Sequence, residues 1–129
     1  MISETIKQQP NTQVVSWLKS VPNHHLGISA LTLGEIRKGA EKLTDSRNKT
    51  KIVQWLEIDL VEWFANRIVT IDARVADKWG YLCAENPRSL PAVDCLLAAS
   101  ALSHGLTLVT RNSKDFEMIK GLELLNPWL

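Results

Sequence analysis

The chain has 129 residues, a net charge of +1 and an apolar fraction of 45%, which predicts a single soluble domain over residues 1–129. No apolar run approaches the roughly 18 residues that a membrane helix requires, and no signal-peptide pattern opens the chain, so no membrane association is expected. A net charge this close to zero excludes a global electrostatic attraction to nucleic acid.

Helical and strand patterns alternate in the first half of the chain. Residues 11–20 carry apolar side chains at helical spacing, with Asn11 as a candidate N-cap. The segment HLGIS is typical of a short strand, and Ser29 at its end can cap a helix that continues to about Leu43. A long helix is then predicted over about 51–66, with its apolar residues on one side.

The second half repeats the alternation. The β-branched segment RIVTI predicts a strand, and Asp72 after it can cap a helix to about Glu85. A helix over 91–104 should end at Gly105, LTLVT and LELLN are typical of strands, and 113–118 indicates a turn or short helix. Helices between short, continuously apolar strands indicate an α/β fold, a parallel sheet with helices on both faces.

Charge is distributed unevenly along the chain. Residues 37–51 hold six basic residues against two acidic ones, a local balance of +4. This segment can be a solvated helix face and turn, or an edge that contacts phosphates or a partner protein.

The two cysteines, Cys83 and Cys95, have neither disulfide-framework nor zinc-ligand spacing, which indicates small buried side chains in a reducing cytoplasm.

Three acidic residues occupy positions from which they could share one crevice, because ligands of open α/β sheets bind beyond the carboxyl ends of the strands. Asp94 lies in the first turn of a predicted helix, where the helix dipole alone would favour it. Glu35 borders an apolar stripe, although a surface pair with Lys38 would also explain it. Asp115 follows a strand, where turn chemistry is the alternative, and Asn112 is a candidate additional metal contact.

The three acids share one property, a carboxylate side chain that can bind a cation. Mg²⁺ and Mn²⁺ take oxygen ligands, and clustered carboxylates tolerate one another when a cation lies between them. A cation held in this way could polarise a phosphodiester and lower the pKa of an attacking water. The three acids share no short motif, so their spacing alone does not join them.

Three segments of the chain resemble a known family: ISALTLGEIRKGAEKL, DCLLAASALSHGLTLVTRNSKDF and the closing LLNPWL. They are similar to the PIN-domain family, specifically to VapC-like toxins of bacterial toxin–antitoxin pairs, including the FitB-like branch. The resemblance extends over essentially the whole chain. Its most specific part is the run from the helix-opening acid through a small-residue helix and LTLVTRN to DF.

The resemblance implies a three-layer fold with a short parallel sheet, and a Mg²⁺- or Mn²⁺-dependent endoribonuclease. Glu35 matches the acid of the family's E-[IL]-R-x-G segment, Asp94 the helix-opening acid and Asp115 the acid after TRN. Such proteins usually form homodimers and are silenced by a cognate VapB-like antitoxin. The pair often binds operator DNA through the antitoxin.

The opening of the chain departs from the family pattern. Family members begin with a central hydrophobic strand that ends in Asp, then Thr or Ser, then Asn, and that acid is the first metal ligand. Here MISETIKQQP resembles the part that follows this motif, so the strand and its acid are expected to be missing, and Glu4 lies out of register to replace the acid. A start site that omits the strand and a true short form both explain the departure.

The residues and the resemblance leave two candidate functions open and disfavour a third. The first is metal-assisted RNA hydrolysis with Glu35, Asp94 and Asp115 as the site. The second is a catalytically impaired, truncated PIN domain that binds the antitoxin or another copy of the chain. The third, a phospho-accepting receiver domain, is disfavoured because neither the acidic pair nor the late lysine that it needs is found.

Overall fold

The computed structural model describes residues 9–86 and 90–129, so the opening segment 1–8, including Glu4, lies outside the described residues. These residues form two compact units. The middle unit is Asn23–Thr70, and the terminal unit comprises Ile71–Leu129 with the described residues up to Pro22. The single domain over 1–129 stays a prediction.

Secondary structure in the middle unit is largely as the sequence predicts. It contains strand β1 (Ile28–Ser29), helix α2 (Ala30–Glu41), helix α3 (Ser46–Gln54), a π-helical segment (Trp55–Leu60), helix α4 (Val61–Trp63) and strand β2 (Ile68–Val69). The Ser29 hydroxyl accepts a hydrogen bond from Leu31 N at 3.1 Å, as predicted for the cap of α2.

The long helix predicted over 51–66 begins earlier than expected. Helical structure runs from Ser46 to Trp63 through a π-helical segment that the sequence pattern does not reveal. The reason is Asp45, whose carboxylate accepts from the backbone N–H of Arg47 at 3.0 Å and so caps α3. The charge pattern of residues 37–51 does not by itself single out Asp45 as a cap.

The terminal unit contains the helices whose limits the sequence predicts best. Its elements are α1 (Thr12–Ser20), α5 (Ala73–Glu85), α6 (Ala92–His104), β3 (Leu108–Val109), a 3₁₀ helix (Ser113–Phe116) and β4 (Leu124–Leu125). Asn11 caps α1 and Asp72 caps α5, each through a side-chain oxygen that accepts from the third residue on. Gly105 ends α6 with φ 63°, the left-handed conformation expected of a glycine there.

The strands pair in parallel, as the α/β pattern predicts, but they are only two residues long. Ile28 pairs with Ile68 in the middle unit, and Leu108 pairs with Leu124 in the terminal unit. The described residues thus form two separate two-stranded sheets instead of one continuous sheet. No strand in the described ranges joins the two pairs.

The core of the terminal unit lies between α5, α6 and the segment that follows β3. Ala98 and Ala99 of α6 are fully buried, as is Val75 of α5. Small side chains let packed helices approach closely. Six residues of α6 are buried, compared with two of α5, so α6 is the more deeply buried helix of this pair. Within the described part of the chain, no helix is long and apolar enough to cross a membrane.

Candidate functional site

Asp94 lies in the first turn of α6, where the sequence placed it. Pro91 precedes the helix and provides no side-chain cap, so the first N–H groups of α6 depend on other acceptors. Asp94 is half-buried. The positive end of the helix dipole stabilises a negative carboxylate at this position.

Asp115 and Asn112 lie on the turn that follows β3. Asn112 precedes the 3₁₀ helix Ser113–Phe116, and its carbonyl oxygen accepts from Asp115 N at 3.0 Å. Asn112 N donates to the Thr110 hydroxyl at 3.1 Å. This turn is closed by backbone groups and by the Thr110 hydroxyl, and the Asn112 side chain makes no cap hydrogen bond to the 3₁₀ helix. Both Asn112 and Asp115 are exposed to solvent.

The residues that follow Asp94 and Asp115 belong to one core cluster. Cys95 is 4% exposed and Phe116 is 2% exposed, and both are members of the core between α5 and α6. Each acid therefore lies one residue away from an anchor in the same packed core. Burial of the anchors restrains the backbone of both acids, which is the support that a preorganised site requires.

A further group organises the turn before Asp115. The Asn126 amide nitrogen lies 2.9 Å from the Arg111 carbonyl oxygen and 3.5 Å from the Ser113 hydroxyl. The Arg111 guanidinium lies over the Trp128 ring, 5.6 Å from its centre. Sequence reasoning missed Asn126, although the closing NPWL segment was a signal that this end of the chain has a defined role.

Glu35 lies on α2 in the middle unit and is exposed. Glu35 does not form the surface pair with Lys38 that the sequence allowed. Within the described residues, Asp115 makes no ion pair either. Both carboxylates are thus available to a cation. Asp72 is used differently, since its carboxylate accepts from Val75 N at 2.9 Å as the cap of α5.

The candidate ligands are all oxygen donors, which suits a hard divalent cation better than a soft one. Within residues 9–86 and 90–129, no group of three or more His, Cys, Asp or Glu side chains is arranged to hold a metal ion. Asp94, Asp115 and Asn112 belong to the terminal unit, whereas Glu35 belongs to the middle unit. The four-residue ligand set stays a prediction.

Comparison with known proteins decides the family. The family model described as PIN domain matches residues 2–122. The chain belongs to the PIN-domain family. The α/β fold predicted from the alternating helix and strand patterns is confirmed, and so is the VapC-like resemblance carried by the three sequence segments.

Two curated relatives of this PIN domain carry the names of a toxin and of a nuclease. Toxin FitB from Neisseria gonorrhoeae is 32% identical over 99% of the chain and 94% of its own length. The tRNA(fMet)-specific endonuclease VapC from Shigella flexneri is 35% identical over 74% of the chain and 70% of its own length. The crystal structure of FitAcB from Neisseria gonorrhoeae matches with a TM-score of 0.90 and 32% identity, covering 98% of this chain and 93% of that one.

Proposed function

We propose that this PIN domain is a Mg²⁺- or Mn²⁺-dependent endoribonuclease toxin, held inactive by a cognate VapB-like antitoxin. The observation that carries the proposal is the shared core of Cys95 and Phe116, which anchors the backbone next to Asp94 and Asp115. The names of the relatives, a toxin and a tRNA endonuclease, support the same activity. Homodimer formation, and operator binding through the antitoxin, belong to the same proposal.

Each residue of the proposed site has a defined task. Asp94, Asp115 and Glu35 would hold the cation, with Asn112 as an additional oxygen contact. The bound cation would polarise the scissile phosphodiester and make an attacking water more acidic. Asp94 lies in the first turn of α6, where the helix dipole favours a negative charge, and Asn126 holds the backbone that leads to Asp115.

The test is cleavage of a labelled RNA by the purified full chain with Mg²⁺, with Mn²⁺ and with EDTA. We expect cleavage with either cation, loss of it with EDTA, and loss of at least about a hundredfold in rate for Asp94→Asn and Asp115→Asn. Asp77→Asn is the matched control, because Asp77 is an exposed acid on α5. Cleavage that survives both EDTA and Asp94→Asn would refute the proposal.

The alternative from the sequence is a binding module that captures the antitoxin or a second copy of the chain. It predicts a stable complex with the antitoxin and no RNA cleavage under any of these conditions. Size-exclusion chromatography of the two purified proteins, run beside the cleavage assay, separates the two functions.

A further inference from the structure

The structure divides the basic residues of 37–51 into two groups. Arg37 and Lys49 form the paired group. The Arg37 guanidinium lies 2.5 Å from Glu57 and 3.6 Å from Glu41, and the Lys49 ammonium lies 2.9 Å from Glu41. These ion pairs connect α2 to α3 and to the π-helical segment, so the paired cations are used within the middle unit itself.

The unpaired group, here called the basic ridge, comprises Lys38, Lys42, Arg47 and Lys51. All four are exposed, and none has a carboxylate within ion-pair distance in the described residues. Asp45 is close in sequence, but its two oxygens accept from the backbone of Arg47 and Asn48 and from the Asn48 amide. The local excess of positive charge therefore faces solvent.

The basic ridge follows two packed helices. Lys38 and Lys42 come three and seven residues after Glu35, so the three share one face of α2 and its C-cap over about 10 Å of helix axis. Arg47 and Lys51 are four residues apart on α3 and also share a face. The row on α2 thus leads directly to Glu35, a proposed site residue.

Helix stability alone does not explain this arrangement. Lys38 and Lys42 lie at the C-terminal end of α2, where the dipole favours cations, but Arg47 lies in the first turn of α3, where the dipole opposes them. Each helix also places two like charges at i and i+4, which destabilises a helix. A surface that concentrates cations against these local preferences is suited to a polyanion.

We propose that the basic ridge binds the phosphate backbone of the RNA substrate and leads the strand to Glu35. This inference rests on the proposed function, since it assumes that RNA is the substrate. Lysine and arginine contacts to phosphates release condensed counterions, so the interaction has a measurable dependence on salt. They carry no base preference, so the ridge positions the strand and does not select its sequence.

The test measures binding of a fluorescein-labelled, unstructured single-stranded RNA to the full chain by anisotropy, in EDTA and at a series of salt concentrations. Each phosphate contact to a single strand contributes about −0.7 to the slope of log K against log salt. We expect Lys38→Gln/Lys42→Gln and Arg47→Gln/Lys51→Gln each to reduce the magnitude of the slope by about 1.4. The matched control is Lys49→Gln, which removes a cation of the paired group and should leave the slope unchanged.

The outcomes separate this inference from the proposed function. If the wild-type chain cleaves RNA but the ridge variants leave the salt slope of RNA binding unchanged, the ridge inference is overturned and the proposed nuclease function stands. The same would follow if Lys49→Gln reduced the slope as much as the ridge variants. Weakened capture of the antitoxin with unchanged RNA binding would assign the ridge to a protein partner and overturn the RNA inference. Ridge-dependent slopes without any cleavage would support RNA binding and refute the nuclease.

Discussion

Asn126 donates a hydrogen bond from its side-chain amide to the backbone carbonyl oxygen of Arg111 at 2.9 Å. Its own amide oxygen accepts from Trp128 N, also at 2.9 Å. One side chain therefore connects the closing segment of the chain to the turn that precedes Asp115.

Replacing Asn126 by Ala should lower both stability and activity. The free energy of unfolding should fall by about 2 kcal/mol, since two side-chain hydrogen bonds are lost and each contributes about 1 kcal/mol net. Cleavage should fall further than stability predicts, because the backbone before Asp115 loses its support. Urea denaturation and the RNA cleavage assay measure the two effects.

Asn86→Ala is the control for that variant. The Asn86 amide donates to the Leu82 carbonyl oxygen at 3.0 Å at the end of α5, so Asn86→Ala loses one side-chain hydrogen bond to the backbone where Asn126→Ala loses two. Equal losses of cleavage per kcal/mol of lost stability in the two variants would show that Asn126 acts only through stability.

Arg67→Lys should destabilise the middle unit. The Arg67 guanidinium donates to the carbonyl oxygens of Asn23, Leu26 and Trp63, and it lies 5.4 Å from the centre of the Phe64 ring. A lysine cannot reproduce this planar set of donors. We expect a loss of about 2 kcal/mol in the free energy of unfolding.

Urea denaturation again provides the measurement for Arg67→Lys. Arg74→Lys is the matched control, since Arg74 is exposed on α5 and should change stability by less than about 0.5 kcal/mol. If the two variants behaved alike, the contacts of Arg67 would not stabilise the unit.

Two glycine substitutions should have opposite effects. Gly105 has φ 63° at the end of α6, so Gly105→Ala should lower the free energy of unfolding by about 1 kcal/mol even though no neighbour opposes a Cβ there. Gly39 lies within α2, and a Cβ there also meets open space. Gly39→Ala should therefore raise stability by about 0.5–1 kcal/mol. Thermal melts compare the two, and a stabilising Gly105→Ala would contradict the assigned backbone conformation.

Stability should decline at alkaline pH in a way that depends on Cys95. Burial, followed by the thiol of Cys83 at 3.9 Å, raises the pKa of Cys95 to about 11. An unfolded thiol ionises near pH 8.5, so the neutral buried thiol favours the folded state fully below that pH. This contribution is lost as pH rises through about 11, and it is on the order of 2 kcal/mol.

Urea denaturation of the wild type and of Cys95→Ala across this pH range isolates the contribution of the thiol. Other groups titrate in both proteins, so the difference between their declines is the quantity to measure. The wild type should lose more stability than Cys95→Ala, and parallel curves would contradict a raised pKa for Cys95.

Local patterns in the sequence predicted the caps and the helix limits well. Asn11, Ser29 and Asp72 cap helices, and Gly105 ends one, because each acts on backbone groups within three or four residues of itself. The early start of α3 was missed because Asp45 had been assigned to a charge run and not to a cap. The strands were predicted longer than two residues because apolar runs indicate buried segments but do not reveal how far their backbones pair.

The sequence by itself indicated the α/β fold class through its periodicity and the candidate acids through their side-chain chemistry, and three of its segments carried the resemblance to the PIN-domain family. The tertiary structure decided which cations of 37–51 are neutralised, which thiols meet, and that Asn126 holds the turn before Asp115. Each of these depends on contacts between residues distant in the chain or on different elements. Side chains such as those of Arg37 and Glu57 become neighbours only when helices pack, and no local pattern encodes that packing.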